Sequence, residues 1–257
     1  MALVCALAAG YVFLEAQQAR TRSAREPRPS QPPVIDAIGA GSVGRLDAES
    51  ASEAVQTASQ PEESCNDLRV LVDRSHSLPP DYVPEDLVPL WAYGIPTLGG
   101  GEMFLQREAA GHLRLLVEDA WADGQELVVA SAYRSYADQQ VSHARLASIY
   151  GAGAEKMSAA PGHSQHQLGT AVDFTNAAAG YEVRRAFGST TTYSWLRENA
   201  PEHGFVLAYP NGEAAETGYR WEPWHYRYVG LRNAERLEDS GLSLQEFLAR
   251  EGVLPRC

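Results

Sequence analysis

An α+β fold is predicted from three observations. Segments with helical apolar spacing are present, short apolar runs of strand length lie between them, and the two kinds are mixed without a regular βαβ alternation or an internal repeat. The elements follow in order. Leu68, Val70, Leu71 and Val72 form a short apolar run interrupted by Arg69 and read as a strand. Pro79, Pro80 and Pro84 mark an extended, turn-rich stretch. Residues 104–123 read as a helix, because Leu113, Leu116, Val117 and Ala120 share one face. Residues 126–132, with Leu127, Val128 and Val129 in a row, read as a buried strand. A second helix is expected over 135–150, capped by Ser135. Residues 169–174 read as a short strand, and 193–202 as a third helix broken at His203-Gly204. Strands are expected at 205–208 and 224–228, then helix over 231–250 with an interruption near Gly241.

The chain divides into three parts. Residues 1–16 are an apolar N-terminal segment. Met1 to Leu14 carries no charge, yet as a helix it would span only ~21 Å against the ~30 Å bilayer core. It has no basic start, and its one Ala-x-Ala match, Ala6-Leu7-Ala8, lies inside the apolar run. One reading is a truncated signal or membrane anchor; Arg20, Arg22, Arg25 and Arg28 count against an anchor, because a basic flank tends to stay cytoplasmic. The other reading is an apolar N-terminal helix. Residues 17–64 form a Pro/Ser/Ala-rich linker with no sustained apolar period, too poor in burial to offset ordering entropy. Residues 65–257 form the globular part. Cys65 opens it and Cys257 ends it. A disulfide joining the ends and two unrelated thiols both stay open.

The chain has 257 residues, enough for one domain with a core, and a net charge of −12. No segment is rich in both basic and aromatic residues, which argues against nucleic-acid binding. With no Cys-x-x-Cys pair, a thiolate zinc site is disfavoured.

Three segments carry chemistry. In Ser164-Gln-His166-Gln-Leu-Gly169-Thr-Ala-Val-Asp173, His166 and Asp173 could face one ion if a turn at Gly169 leads into a strand. In Trp221-Glu222-Pro223-Trp224-His225 a carboxylate sits three residues before a histidine. On a strand or turn His225 can ligate a metal while Glu222 reaches the water bound to it. Two histidines and an aspartate leave a fourth position open, as catalytic zinc requires. Ser131-Ala-Tyr-Arg134-Ser135 lies where a predicted strand ends, and an Arg near zinc could stabilise an oxyanion. Gln139 lies one turn further on, facing the same cleft or, more simply, solvent. Each piece alone has a plainer reading as a hydrogen bond or ion pair; together, in this order, they do not.

On these motifs, supported by Pro161-Gly162-His163-Ser164, Gly204-Phe205-Val206-Leu207 and Tyr209-Pro210, the sequence resembles the VanY-type D-Ala-D-Ala carboxypeptidases, zinc peptidases of the Hedgehog/DD-peptidase fold, from about Leu78 to Arg232. The resemblance implies a small antiparallel sheet with helices packed around it. It implies His166, Asp173 and His225 as ligands of a Zn2+ cofactor. Glu222 would be the base that activates the zinc-bound water and then protonates the leaving amine. Arg134 would hold the oxyanion or scissile carbonyl, and Ser164, Gln139 and Trp224 would line the substrate cleft. The implied substrate is a peptidoglycan stem peptide ending in D-Ala-D-Ala. L,D-carboxypeptidase and endopeptidase activities, or a wall-binding module with structural zinc, are the alternatives. A monomer is expected, in an extracytoplasmic setting and either membrane-anchored or secreted.

Other residues receive plainer expectations. His163 makes a loop hydrogen bond, and His203 sits at a helix end. His76, His112 and His143 lie at the surface, whereas Trp91, Trp121 and Trp195 belong to the core. Tyr226 and Tyr228 alternate with Arg227 as on a half-buried strand. The Ala/Gly-rich residues 152–160 read as an inserted mobile loop.

Overall fold

A computed structural model describes residues 64–257; the expectations for residues 1–63 lie outside them. Six strands and six α-helices are present among the described residues, joined by short 3-10 turns. Strands β1 (Leu87–Pro89) and β2 (Phe104–Gln106) form a small antiparallel pair. Strands β3 (Val128–Ser131), β4 (Ala171–Thr175), β5 (Phe205–Leu207) and β6 (His225–Tyr228) form a four-stranded sheet in the order β3-β4-β6-β5, antiparallel throughout.

One face of this sheet carries the main core. Val129, Val172, Phe174, Tyr226 and Tyr228 pack there against helix α1 (Arg107–Ala122). That helix buries Ala109, Ala110, Leu113, Leu116, Val117 and Ala120, the i, i+3, i+4, i+7 stripe that the sequence shows. Truncating Leu113, which has no exposure, would cost about 2–5 kcal/mol. The stretch before Arg107, expected to be helical, instead forms β2.

Helix α2 (Tyr136–Tyr150) starts where Ser135 Oγ accepts from the Asp138 amide at 3.1 Å. Helix α3 (Thr191–Asn199) is capped in the same way by Thr190, and its continuation Ala200–His203 ends at Gly204 in the left-handed conformation. After the single turn α4 (Ala214–Thr217), helices α5 (Leu231–Ser240) and α6 (Leu244–Glu251) lie on either side of Gly241. Leu237, Leu244, Phe247 and Leu248 build a second cluster with Val206, Tyr209 and Val229.

The two ends of the described segment meet. Cys65 and Cys257 form a disulfide with Cα atoms 5.5 Å apart. The Ser64 amide donates to Arg256 O at 2.9 Å and the Leu71 amide to Val253 O at 2.8 Å. The apolar run at 68–72 is therefore buried but is not a strand: its carbonyls at Leu68 and Val70 accept from the Arg227 guanidinium at 3.0 and 2.8 Å. Arg227 is fully buried, and β6 is covered on both faces rather than one. Trp91 and Trp121, expected in the core, are 67% and 64% exposed. Residues 152–160 contribute to a 3-10 helix, Gly151–Lys156.

Candidate active site

Sheet register sets the site. Asp173 on β4 pairs with His225 on β6 and, on its other side, with Ser131 on β3, so the three stand in one row across the sheet. Directly opposed residues on antiparallel strands place their side chains on the same face. His166 arrives from the 3-10 turn Gln165–Leu168, capped by Ser164. That turn stops at Gly169, where φ is +68° and an added Cβ would lie 2.9 Å from Leu87 Cδ2, so the position favours glycine. The chain then enters β4 at Ala171 and brings Asp173 back toward His166.

His166 Nε2 stands 3.3 Å from Asp173 Oδ2, and His225 Nδ1 stands 2.8 Å from Asp173 Oδ1. The three side chains offer ligand atoms within 4.8 Å of one another, all buried. The outer nitrogens are engaged: His166 Nδ1 donates to Ala132 O at 2.7 Å, and His225 Nε2 contacts Gln165 Oε1 at 3.2 Å. A carbonyl only accepts, so the His166 proton sits on Nδ1 and its Nε2 lone pair faces the carboxylate. Burial lowers the His166 pKa, against the pull of Asp173, and so opposes a second proton on that ring. Burial alone would raise the Asp173 carboxyl, but His166 and His225 outweigh it and hold the group below the usual carboxylate range. Two imidazoles and a carboxylate thus converge in a buried pocket with ligand atoms within 4.8 Å of one another, a donor set that suits a cation. Nitrogen and oxygen donors without thiolate suit zinc, and three protein ligands leave a position open.

Glu222 sits beside this triad because its carbonyl accepts from the His225 amide at 3.1 Å, closing a turn just before β6. Burial pushes its carboxyl up to about 8; Asp173 adds to the rise while Arg220 and Arg134 oppose it. A displaced carboxyl of this kind in a cleft is a candidate for proton transfer. Arg134 is held by both ends of its guanidinium: Nη1 donates to Gln139 Oε1 at 2.8 Å and Nη2 to Ser131 Oγ at 2.7 Å. Gln139, for which solvent was the simpler expectation, is 1% exposed and donates its Nε2 to Ala159 O at 2.6 Å. His166, Asp173, His225, Glu222, Arg134, Ser164, Gln139 and Trp224 all line one cleft of about 480 Å³.

The sequence reading missed two contributors. Tyr209 stacks on His225 with ring centroids 5.0 Å apart, and burial holds its hydroxyl well above the ordinary value, so the ring stays a neutral phenol. Gln165 meets the outer nitrogen of the same histidine. Both lay inside quoted motif stretches, but only the tertiary fold shows that they touch His225. Among the histidines outside the site, His163 Nδ1 meets Asp73 O at 2.7 Å as a loop contact, and His203, at the end of the turn Ala200–His203, meets Asp119 at 3.3 Å. His112, expected at the surface, is half-buried and stacks on Tyr228 with centroids 5.3 Å apart.

A buried His/Asp/His triad, a carboxyl with a raised pKa and a fixed guanidinium in one cleft fit a hydrolytic enzyme of the peptidase class. The family model for VanY, D-alanyl-D-alanine carboxypeptidase, matches residues 102–231, which hold all eight cleft residues named above. The chain belongs to that family. A D-alanyl-D-alanine carboxypeptidase of Enterococcus faecalis is 35% identical over 196 residues, covering 71% of this chain and 66% of that protein. Among solved structures, the LD-carboxypeptidase LdcB is 35% identical with a TM-score of 0.65, covering 72% of this chain and 87% of that one. The D,D-pentapeptidase VanY of a VanB-type resistance cassette, in complex with Zn(II), is 33% identical with a TM-score of 0.58, covering 70% of this chain and 98% of that one. These likenesses bear out the α+β, Hedgehog/DD-peptidase-like fold expected from the sequence.

Proposed function

We propose that this protein is a zinc-dependent D-alanyl-D-alanine carboxypeptidase that removes the terminal D-Ala from peptidoglycan stem peptides. The observation that carries the reading is the His166-Asp173-His225 triad, with ligand atoms within 4.8 Å and Glu222 in the same cleft. Its relation to a D,D-pentapeptidase that binds Zn(II) supports both the metal and the substrate.

His166 Nε2, Asp173 and His225 Nδ1 would hold the ion. Bound there, zinc supplies Lewis acidity, which polarises a carbonyl and lowers the pKa of water. The chain's own residues do the rest. Glu222 accepts the proton of the attacking water and delivers it to the departing amine, a task suited to a carboxyl whose pKa burial has raised. Arg134, immobilised by Ser131 and Gln139, offers its remaining donors to the oxygen on which negative charge develops. Ser164 and Trp224 line the cleft where the terminal residue would sit. The open position argues against a purely structural metal, which closes its fourth site.

Likeness to LdcB supports one alternative, cleavage of the L,D bond of a tetrapeptide stem by the same machinery. Mass spectrometry of pentapeptide and tetrapeptide stems incubated with the protein separates the two. Loss of one alanine from the pentapeptide alone is the expected result. Loss from the tetrapeptide alone would replace D,D- by L,D-specificity, and cleavage of neither would overturn the enzymatic reading.

The proposed setting is extracytoplasmic, with residues 65–257 as the catalytic domain. The Cys65–Cys257 disulfide supports this, because such bonds persist in oxidising compartments. The Pro/Ser/Ala-rich stretch 17–64 would then tether the domain to an N-terminal anchor. Among the described residues no helix is long and apolar enough to cross a membrane.

A further inference from the structure

The cleft carries charge of opposite sign to the chain as a whole. The protein has a net charge of −12, yet the charged non-histidine side chains lining the cleft are Arg134, Arg185 and Arg220 against Asp173 and Glu222. A terminal carboxylate and a developing oxyanion are served by the deep part of the site, where Arg134 is fixed. Arg185 takes no part in that task, and Arg220 bears on it only through its charge near Glu222.

Both are exposed, and among the described residues neither forms an ion pair or side-chain hydrogen bond. The acid nearest Arg185 in sequence, Glu182, is already engaged by Arg184 at 3.0 Å. The two arginines belong to segments that pack together. Arg185 opens the turn Arg185–Ser189, whose Gly188 lies so close to Trp221 that an added Cβ would be 2.5 Å from the indole ring. Arg220 directly precedes Trp221. Tyr193 meets the indole edge-on, with centroids 6.0 Å apart. Two exposed arginines thus line the same cleft as Trp221, one adjacent to it in sequence and the other in the turn that packs on its ring. Guanidinium is the side-chain group best matched to a carboxylate.

We infer that Arg185 and Arg220 form a second anionic subsite, which takes a side-chain carboxylate on the part of the peptide N-terminal to the scissile bond. This rests on the carboxypeptidase reading and deepens it: the preferred substrate is a stem peptide with a free acid, rather than an amide, on the residue preceding D-Ala-D-Ala. Exposed guanidiniums act on encounter and on ground-state binding, so the effect falls on KM.

The test uses two synthetic pentapeptides ending in D-Ala-D-Ala that differ only in a side-chain carboxylate or carboxamide at the third residue. The protein should cleave the acid with a kcat/KM roughly threefold to tenfold higher, carried in KM and shrinking as salt rises. In the Arg185→Gln/Arg220→Gln double variant the preference should fall to within about twofold, as expected for the loss of two exposed charge contacts. Equal cleavage of both peptides by the unmodified protein would overturn the subsite alone. So would a KM rise in the double variant that is equal for both peptides, which would assign these arginines to the terminal carboxylate. Cleavage of neither peptide would overturn the carboxypeptidase reading, and the subsite with it.

Discussion

The cleft has a floor and a wall, and they are built on opposite principles. The floor is β4 and β6 with the turn Gln165–Leu168 that adds His166; every residue of it is buried, and Asp173 and His225 are locked as a register pair. The wall is α2, in which Gln139 is the one buried residue while Val141 and Ile149 are 71% and 62% exposed. A two-faced buried sheet holds ligand atoms to tolerances that metal binding demands. A helix attached through one glutamine can position a guanidinium but contributes little packing. Damage to the floor should therefore remove the metal, whereas damage to the wall should weaken catalysis and leave the metal in place.

The largest effect belongs to the floor. His166→Ala should lose the metal and all measurable turnover, and metal analysis of the purified variant checks this. Glu222→Gln should retain the metal yet lower kcat by about a thousandfold or more, because it removes the proton carrier and keeps the ligand shell. Steady-state kinetics beside metal content reads both quantities. Gln139→Ala removes the acceptor of Arg134 and the tie to Ala159. Turnover should fall on the order of tenfold with full metal content, since a guanidinium that can still reach its place loses only its orientation.

Two smaller effects concern stability. Cys65→Ala with Cys257→Ala opens a loop spanning 192 residues and should lower stability by about 3–4 kcal/mol, read by denaturant melting. Val141→Glu, on the exposed face of α2, should change stability by less than about 0.5 kcal/mol and leave the metal untouched. A large loss from this last variant would show that the wall carries more of the fold than its burial implies.

The floor was also the legible part of the sequence. His166, Asp173 and His225 sit in local motifs, and the Gly169 turn and short strands that deliver them follow from residue type. Helix α1 was legible through its apolar stripe, although its first turn proved to be strand β2, whose three-residue pairing with β1 depends on a partner 17 positions away. The run at 68–72 is apolar because it is buried, but it offers its carbonyls to Arg227 rather than to a strand, which local pattern does not reveal. The same contact explains the misread β6: alternating Tyr and Arg suggests one wet face, but residues 65–72, closed by the disulfide, cover it. Gln139 was ambiguous because a polar residue on a helix faces solvent unless a distant loop, here Ser158 and Ala159, comes to meet it.

The most direct test of the account measures D-Ala release from a pentapeptide stem together with zinc content, before chelation, after chelation, and after stepwise return of zinc. Release should stop in the metal-free protein and return in proportion to zinc, reaching its full value at one ion per chain. Undiminished release from metal-free protein would contradict it, because His166, Asp173 and His225 would then be a buried hydrogen-bond cluster rather than the centre of the reaction.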